Sequence, residues 1–208
     1  MARRVSRKAK KSVVKGPKRR VPFRRKREGK TDYRLRMKLI LSNKPRLVVR
    51  RSLKNTNVQL IEASEKGDVT IASANSKELE KFGWKASTGN VPASYLTGLL
   101  CGIRALRKGK KEAVLDIGLQ TPIRGSRIFS ALKGAIDAGL NIPHSDEVFP
   151  DESRLRGIHI SEYAEVLAKE DPKKLERQFS KYLAASINPT DVPKMFDEVK
   201  HNILSMEE

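Results

Sequence analysis

The sequence predicts an α/β fold: a mixed sheet with packed helices, a basic N-terminal extension that is disordered when free, and a helical C-terminal region. Three observations carry this. The stretch RLVVRRSLKNTNVQLI (46–61) reads as a strand, a polar turn and a second strand. Downstream of it, strand-like and helix-like patterns alternate, which within one domain places helices on a sheet. The charge is also divided: residues 1–54 hold 23 Lys/Arg against 2 Asp/Glu, whereas the rest of the 208-residue chain holds 21 against 22. Essentially all of the net charge of +20 therefore sits in the first quarter. The expected organisation is a basic, polyanion-binding extension (1–30), an α/β body carrying the hairpin (31–144), and a loop with C-terminal helices (145–208).

Taken in order, Met1 to about Lys30 is poor in apolar residues, interrupted by Gly16-Pro17 and Pro22, and dense in Lys and Arg. Repulsion between those charges opposes folding until a polyanion neutralises them. RRKR (24–27) has a second reading as a weak nuclear-import signal. Phe23 and Tyr33 either stack on an unpaired base or pack on the body. Thr31 and Asp32 are suited to cap a short helix beginning near Tyr33, which Ser42-Asn43-Lys44-Pro45 ends. Leu47, Val48 and Val49 form an apolar, β-branched run, the pattern of a strand covered on both faces. The turn then holds Arg50, Arg51, Ser52, Lys54 and Asn55, and Val58 to Ile61 alternates apolar and polar residues. Glu65-Lys66-Gly67-Asp68 is a tight turn, and Val69–Ala72 a third antiparallel strand.

A helix is expected from about Pro92, where a proline is harmless in the first turn. Its apolar positions Tyr95, Leu96, Leu99, Leu100, Ile103 and Leu106 lie on one face, and Gly98 and Gly102 would let it approach a sheet closely. Arg104, Arg107, Lys108, Lys110 and Lys111 gather at its C-terminal end, where cations favour the helix dipole. AVLDI (113–117) reads as a strand interrupted by Asp116. A loop follows over Gly118–Gly125, then a helix capped by Ser126 and closed by Gly139. Residues 142–157 are polar and expected to loop across the surface. Helices should start at Ser161 or Glu162, at Asp171-Pro172, and at Thr190 or Asp191. The stripe Val192, Met195, Phe196, Val199 and Ile203 on the last should pack back onto the body, leaving mixed-charge faces suited to protein contact.

Composition limits the chemistry. The single cysteine, Cys101, rules out a disulfide framework and a cysteine-based zinc site, and fits a reducing compartment. His144, His159 and His201 lack metal-ligand spacing. No apolar run approaches the roughly 18 residues of a membrane span. The N-terminus lacks the apolar segment of a secretory signal. An intracellular, cytoplasmic protein without cofactor, metal or small-molecule substrate is the expectation. A metal-dependent nuclease would have to draw on Asp116, Asp137, Asp146, Glu147 or Asp151, but no catalytic spacing ties these together. Nor is there a phosphate-binding loop of the Gly-x-x-x-x-Gly-Lys-Ser/Thr type. Loop Gly118–Gly125 with Arg124 or Arg127 reads either as a phosphate site at a helix N-terminus or as simple capping. Arginine forks and ammonium groups suit phosphates, and Asn and Ser reach sugar hydroxyls or base edges, so the hairpin turn reads either as an RNA-binding tip or as a solvated hairpin tip. A generic RNA chaperone is the remaining alternative.

Several stretches together resemble one family: VPFRRKREGKTDYRLR (21–36), KPRLVVRRSLKNTNVQLI (44–61), FGWKASTGN (82–90) with YLTGLLCGIRA (95–105), AVLDIGLQTPIRGSRIFSALKGAIDAGLNIPHS (113–145) and RGIHISEYA (156–164). They resemble the large-subunit ribosomal protein that binds 5S ribosomal RNA, the universal L-eighteen family, in its archaeal long form related to the eukaryotic L-five protein. The resemblance implies a structural, non-catalytic constituent of the large ribosomal subunit. Such a protein anchors 5S RNA to the large (23S-type) ribosomal RNA in the central protuberance, beside the bacterial-type L-five protein. It implies RNA contacts at Arg19, Arg20, Arg24, Arg25, Arg27, Tyr33 and Arg34, and at the hairpin residues Arg46, Arg50, Arg51, Ser52, Lys54 and Asn55. Tyr33 and Trp84 are both family-like aromatics, with stacking and packing open for each.

Overall fold

The computed structural model describes residues 21–205. Arg19 and Arg20 lie outside that range. A single turn, α1 (Arg24–Arg27), precedes α2 (Tyr33–Leu41), whose first turn is capped as expected. Asp32 Oδ1 accepts from the amides of Arg34 (2.9 Å) and Leu35 (3.2 Å). Strands β1 (Arg46–Arg51), β2 (Thr56–Ser64) and β3 (Gly67–Asn75) form the antiparallel unit. Next come a 3₁₀ segment (Ser76–Phe82), the long helix α3 (Val91–Arg107), β4 (Val114–Asp116) and α4 (Arg127–Asp137). β4 joins β1 in parallel, giving the mixed order β3-β2-β1-β4.

The first strand is covered on both faces, but by different means. Leu47 and Val49 point into the core with Val58 and Leu60, against Leu96, Leu99 and Leu100 of α3 and Ile128 and Leu132 of α4. Each such leucine contributes about 2 kcal/mol through burial. Arg46, Val48 and Arg50 point the other way, into a cleft of about 210 Å³ roofed by Leu35 and Leu39 of α2. α3 lies over β2 and β3 and α4 over β1.

Three expectations need correction here. α3 is buried almost all round rather than on one face, because α4 and the C-terminal helices enclose the side away from the sheet. Its glycines admit a helix, not the sheet: a Cβ on Gly98 would stand 1.9 Å from the Ala131 carbonyl oxygen, and one on Gly102 2.6 Å from the Ala138 Cβ. Ser126 occupies the position ahead of α4, but its hydroxyl makes no cap hydrogen bond and lies buried without a partner.

The segment expected to loop over residues 142–157 instead contains a 3₁₀ turn (Asp146–Val148) and a short helix, α5 (Glu152–Arg156), with Leu155 buried in the core. α6 (Ile158–Glu170) starts three residues before Ser161, because Gly157 adopts φ +83° and closes α5 while opening α6. α7 (Pro172–Gln178) follows Asp171 as the sequence indicated, Asp171 Oδ1 accepting from the Lys174 amide. α8 (Ser180–Ala184) and a 3₁₀ turn (Pro189–Asp191) lead to α9 (Val192–Leu204). Val192, Phe196, Val199 and Ile203 of α9 enter the main core as expected. Among the described residues no helix is long and apolar enough to cross a membrane.

Candidate nucleic-acid interface

The register of β1 on β2 pairs Arg51 with Thr56, so the turn between them is short. Within it the Ser52 amide donates to the Asn55 carbonyl (2.7 Å), Ser52 Oγ donates to the same oxygen (2.9 Å) and accepts from the Asn55 amide (2.9 Å). The tip is braced from outside as well. Thr88 Oγ1 lies 2.8 Å from both the Lys54 carbonyl oxygen and Asn55 Oδ1, and Ser76 Oγ donates to Asn55 Oδ1 at 3.4 Å. Two of the expected RNA contacts, Ser52 and Asn55, thus use their side-chain oxygens to stiffen the turn. Arg51, Leu53 and Lys54 are left exposed upon it.

The arginines of β1 divide sharply. Arg46 is 4% exposed and held between two carboxylates: Nη1 lies 3.2 Å from Asp116 Oδ2, and Nη2 2.8 Å from Asp68 Oδ2. The second contact lacks hydrogen-bond alignment, and Nε has no acceptor. Arg50 donates through Nη2 to Asp116 Oδ1 (2.9 Å) and through Nη1 to the carbonyls of Asp116 (2.6 Å) and Val49 (2.9 Å). Its guanidinium lies against Gly118, where φ is +65° and a side chain would meet it at 3.0 Å. Asp116 completes the set by accepting from the Gly118 amide (2.8 Å). Arg46 is an internal strut and Arg50 a half-exposed one, whereas Arg51 and Lys54 have no carboxylate within 4 Å among the described residues.

Gly98 meets Ala131 and Gly102 meets Ala135, so α3 and α4 run in the same direction. Their N-termini, where amide donors and the dipole attract anions, therefore share the end of the molecule that carries the hairpin tip. Arg127 at the start of α4 donates to the Gly89 carbonyl just ahead of α3 (2.7 Å). Burial, and then the positive charge of Arg51, lower the Arg127 pKa from its ordinary value. The sequence singled out Arg124 and Arg127 together. Arg124 makes an exposed pair with Glu147 (3.0 Å), and Arg127 is the one beside the loop that braces the hairpin tip.

The N-terminal cations lie beside the same face. Arg25 donates from Nε to Thr31 Oγ1 (2.8 Å) and shares the cleft with Arg50. Arg24 pairs loosely with Glu28 (3.6 Å), while Arg27 and Arg34 are exposed without a carboxylate partner among the described residues. Tyr33 is half-buried, its ring centroid 5.2 Å from that of Phe23. Trp84 is fully buried and donates to the Ser87 carbonyl (3.2 Å), so it packs and does not stack on RNA.

The carboxylates a nuclease would need are dispersed. Asp116 serves two arginines, Asp137 accepts from Tyr95 Oη (2.7 Å) and pairs with Lys133 (3.1 Å), and Glu147 holds Arg124. No group of three potential metal ligands converges among the described residues. The Cys101 thiol is buried in α3, and desolvation raises its pKa to about 12, which leaves it a packing group.

A family described as the ribosomal large-subunit proteins 60S L5 and 50S L18 matches residues 18–114 and 108–145, spanning the N-terminal cations, the hairpin, both parallel helices and β4. The chain belongs to this family. The large ribosomal subunit protein uL18 of Methanothermobacter thermautotrophicus is 55% identical over 191 residues, covering 92% of this chain and 98% of that protein. Its counterpart of the same description in Methanococcus maripaludis is 55% identical over 187 residues, covering 90% and 96%. For this L5/L18 chain, sequence reasoning missed Thr88 and Ser76 as braces of the tip. Both hydroxyls act across more than 20 residues of chain, and a lone Ser or Thr carries no local signal of that.

Proposed function

We propose that the chain, a structural constituent of the large ribosomal subunit, holds 5S ribosomal RNA there and anchors it to the large (23S-type) ribosomal RNA. The resemblance adds the site, the central protuberance, and a protein neighbour, the bacterial-type L-five protein. The observation that carries the reading is the braced hairpin tip. It offers Arg51 and Lys54 without a carboxylate partner among the described residues, beside Arg127 and two parallel helix N-termini. Such an end binds phosphates by counterion release, and its rigidity fixes their spacing. Arg24, Arg25, Arg27 and Arg34 extend the same charge past the cleft, and Arg19 and Arg20 belong to this extension by sequence. Arg46 contributes by holding β1 in place, while Arg50 sets the position of the tip.

The test is binding of the full chain to 5S RNA and to a length-matched unrelated RNA over a salt series. 5S RNA is expected to keep its advantage at high salt. Arg51→Ala with Lys54→Ala should lower the log–log salt slope by about 1.4–1.8, each phosphate contact contributing roughly 0.7–0.9. Coincident curves for the two RNAs would mean that the chain acts as a polycation, as a generic RNA chaperone does, and would overturn the proposal.

A further inference from the structure

We infer that the C-terminal region is itself an RNA-binding element, and that the hollow between the hairpin tip and α8 receives an unpaired nucleotide segment. The inference rests on the RNA-binding reading above and extends it to a surface whose sequence pointed to protein contact.

The hollow has a volume of about 480 Å³, within the usual range for small-ligand sites. Leu53 and Lys54 of the tip form one wall, Lys85 and Ser87 its base, and Lys181 and Tyr182 of α8 the far side. These three segments are tied to one another. Thr88 Oγ1 donates to the Lys54 carbonyl (2.8 Å), and the Ser87 amide donates to Tyr182 Oη (3.1 Å). Trp84 holds the Ser87 carbonyl from within the core. The shape is therefore fixed before any ligand arrives.

Its chemistry selects the occupant. Lys54, Lys85 and Lys181 have no carboxylate within 4 Å among the described residues, and Glu80 is the single acid on the lining. Three ammonium groups against one carboxylate call for a polyanion. Leu53 is 90% exposed, a large apolar side chain held in water on a hydrogen-bonded turn. A solvated loop does not need it, whereas the face of a splayed-out base packs well against such a wall. Gln178, Ser180 and Ser87 supply neutral donors and acceptors for base edges. Lys54 belongs both to the hollow and to the tip, so an RNA strand engaged at the tip continues into the hollow without crossing an acidic gap.

The experiment uses the full chain with two substitution pairs, Lys85→Ala/Lys181→Ala and, as a charge-matched control, Lys169→Ala/Lys173→Ala. Binding is measured to 5S RNA, and binding of the chain–5S complex to large ribosomal RNA, each over a salt series with nucleotide footprinting. The first pair should lower one of the two salt slopes by about 1.4, the value for two single-strand phosphates, and reduce affinity about tenfold. It should also expose a stretch of unpaired nucleotides protected by the wild type, and the RNA in which that stretch lies identifies the source. Leu53→Ser should lower affinity for the same RNA with its slope unchanged, because an apolar contact releases no counterions. If the first pair matches the control on both RNAs, or the lost protection is confined to duplex, the inference is wrong. It is equally wrong if RNA binding is intact and an acidic ribosomal protein loses affinity instead. Should the wild-type chain show no preference for 5S over unrelated RNA, the RNA-binding reading itself falls.

Discussion

Asp116→Ala is expected to destabilise the chain by about 3 kcal/mol or more in urea unfolding, well above the loss expected at any surface ion pair. Removing one partner of a buried ion pair typically costs about 3–5 kcal/mol, because the other charge is left without compensation. Here the stranded group is Arg46, with a side chain 5% exposed and a Nε that already lacks an acceptor. Asp68 remains beside it at 2.8 Å but is 28% exposed and poorly aligned, which sets the expectation at the lower end of that range. Arg50 adds little to the loss, since its side chain is 42% exposed and water can solvate it. Asp116→Asn keeps the shape and one acceptor while removing the charge, and should fall between wild type and Asp116→Ala. A loss below about 1 kcal/mol for Asp116→Ala would mean that Arg46 finds water, and that the network is not a support of the sheet. The same geometry separates two neighbours. Arg51→Ala should weaken RNA binding with stability nearly unchanged, whereas Arg50→Ala should act through the position of the tip and Gly118.

The charge network explains where sequence reasoning succeeded and where it stopped. The covered strand was legible in Leu47-Val48-Val49, since an apolar β-branched run has few other homes. That Arg46 and Arg50 flank this run on its second face also follows from a period of two. Their partner did not follow, because Asp116 lies 66 and 70 residues away and reaches them only through parallel pairing of β4 with β1. An acid at the end of an apolar strand therefore stayed without an assigned role, a nuclease carboxylate only by residue type and with no catalytic spacing behind it. The 3₁₀ segment after β3 was, by contrast, available to the eye. Asn75 and Glu78 form a capping box, Asn75 Oδ1 accepting from the Lys77 amide and Glu78 Oε1 from the Asn75 amide, and Asn-x-x-Glu is its sequence mark. The interface was legible as a basic turn. Which of its side chains brace the turn was not, because Asn55, Ser52 and Arg50 have the same side-chain chemistry whether they brace it or face a ligand. The braces themselves come from Thr88 for Asn55, from the Asn55 backbone for Ser52 and from Asp116 for Arg50.

Gly98→Ala should destabilise the chain by about 3 kcal/mol or more, although alanine is the better helix former by about 1 kcal/mol. The added Cβ would stand 1.9 Å from the Ala131 carbonyl oxygen and 2.7 Å from its carbonyl carbon, both backbone atoms that no rotamer change can move. Ordinary contact begins near 3.4 Å, so α3 and α4 would have to separate by more than an ångström. Separation on that scale forfeits dispersion contacts along the whole shared face, a cost several times the gain in propensity. Gly134→Ala poses the mirror problem, with its Cβ 2.1 Å from the Tyr95 carbonyl oxygen, and should match Gly98→Ala. Gly102→Ala should be milder, because its nearest obstacle is the Ala138 side chain at 2.6 Å, just past the end of α4 where the chain can give. The ranking Gly98 and Gly134 above Gly102, read from unfolding midpoints, is the decisive measurement, and a stabilised Gly98→Ala would refute the close parallel packing. RNA affinity should follow the same ranking. The tip is braced by the loop that opens α3, and Arg127 bridges that loop from the first turn of α4, so helices pushed apart carry the two halves of the proposed phosphate-binding end away from each other.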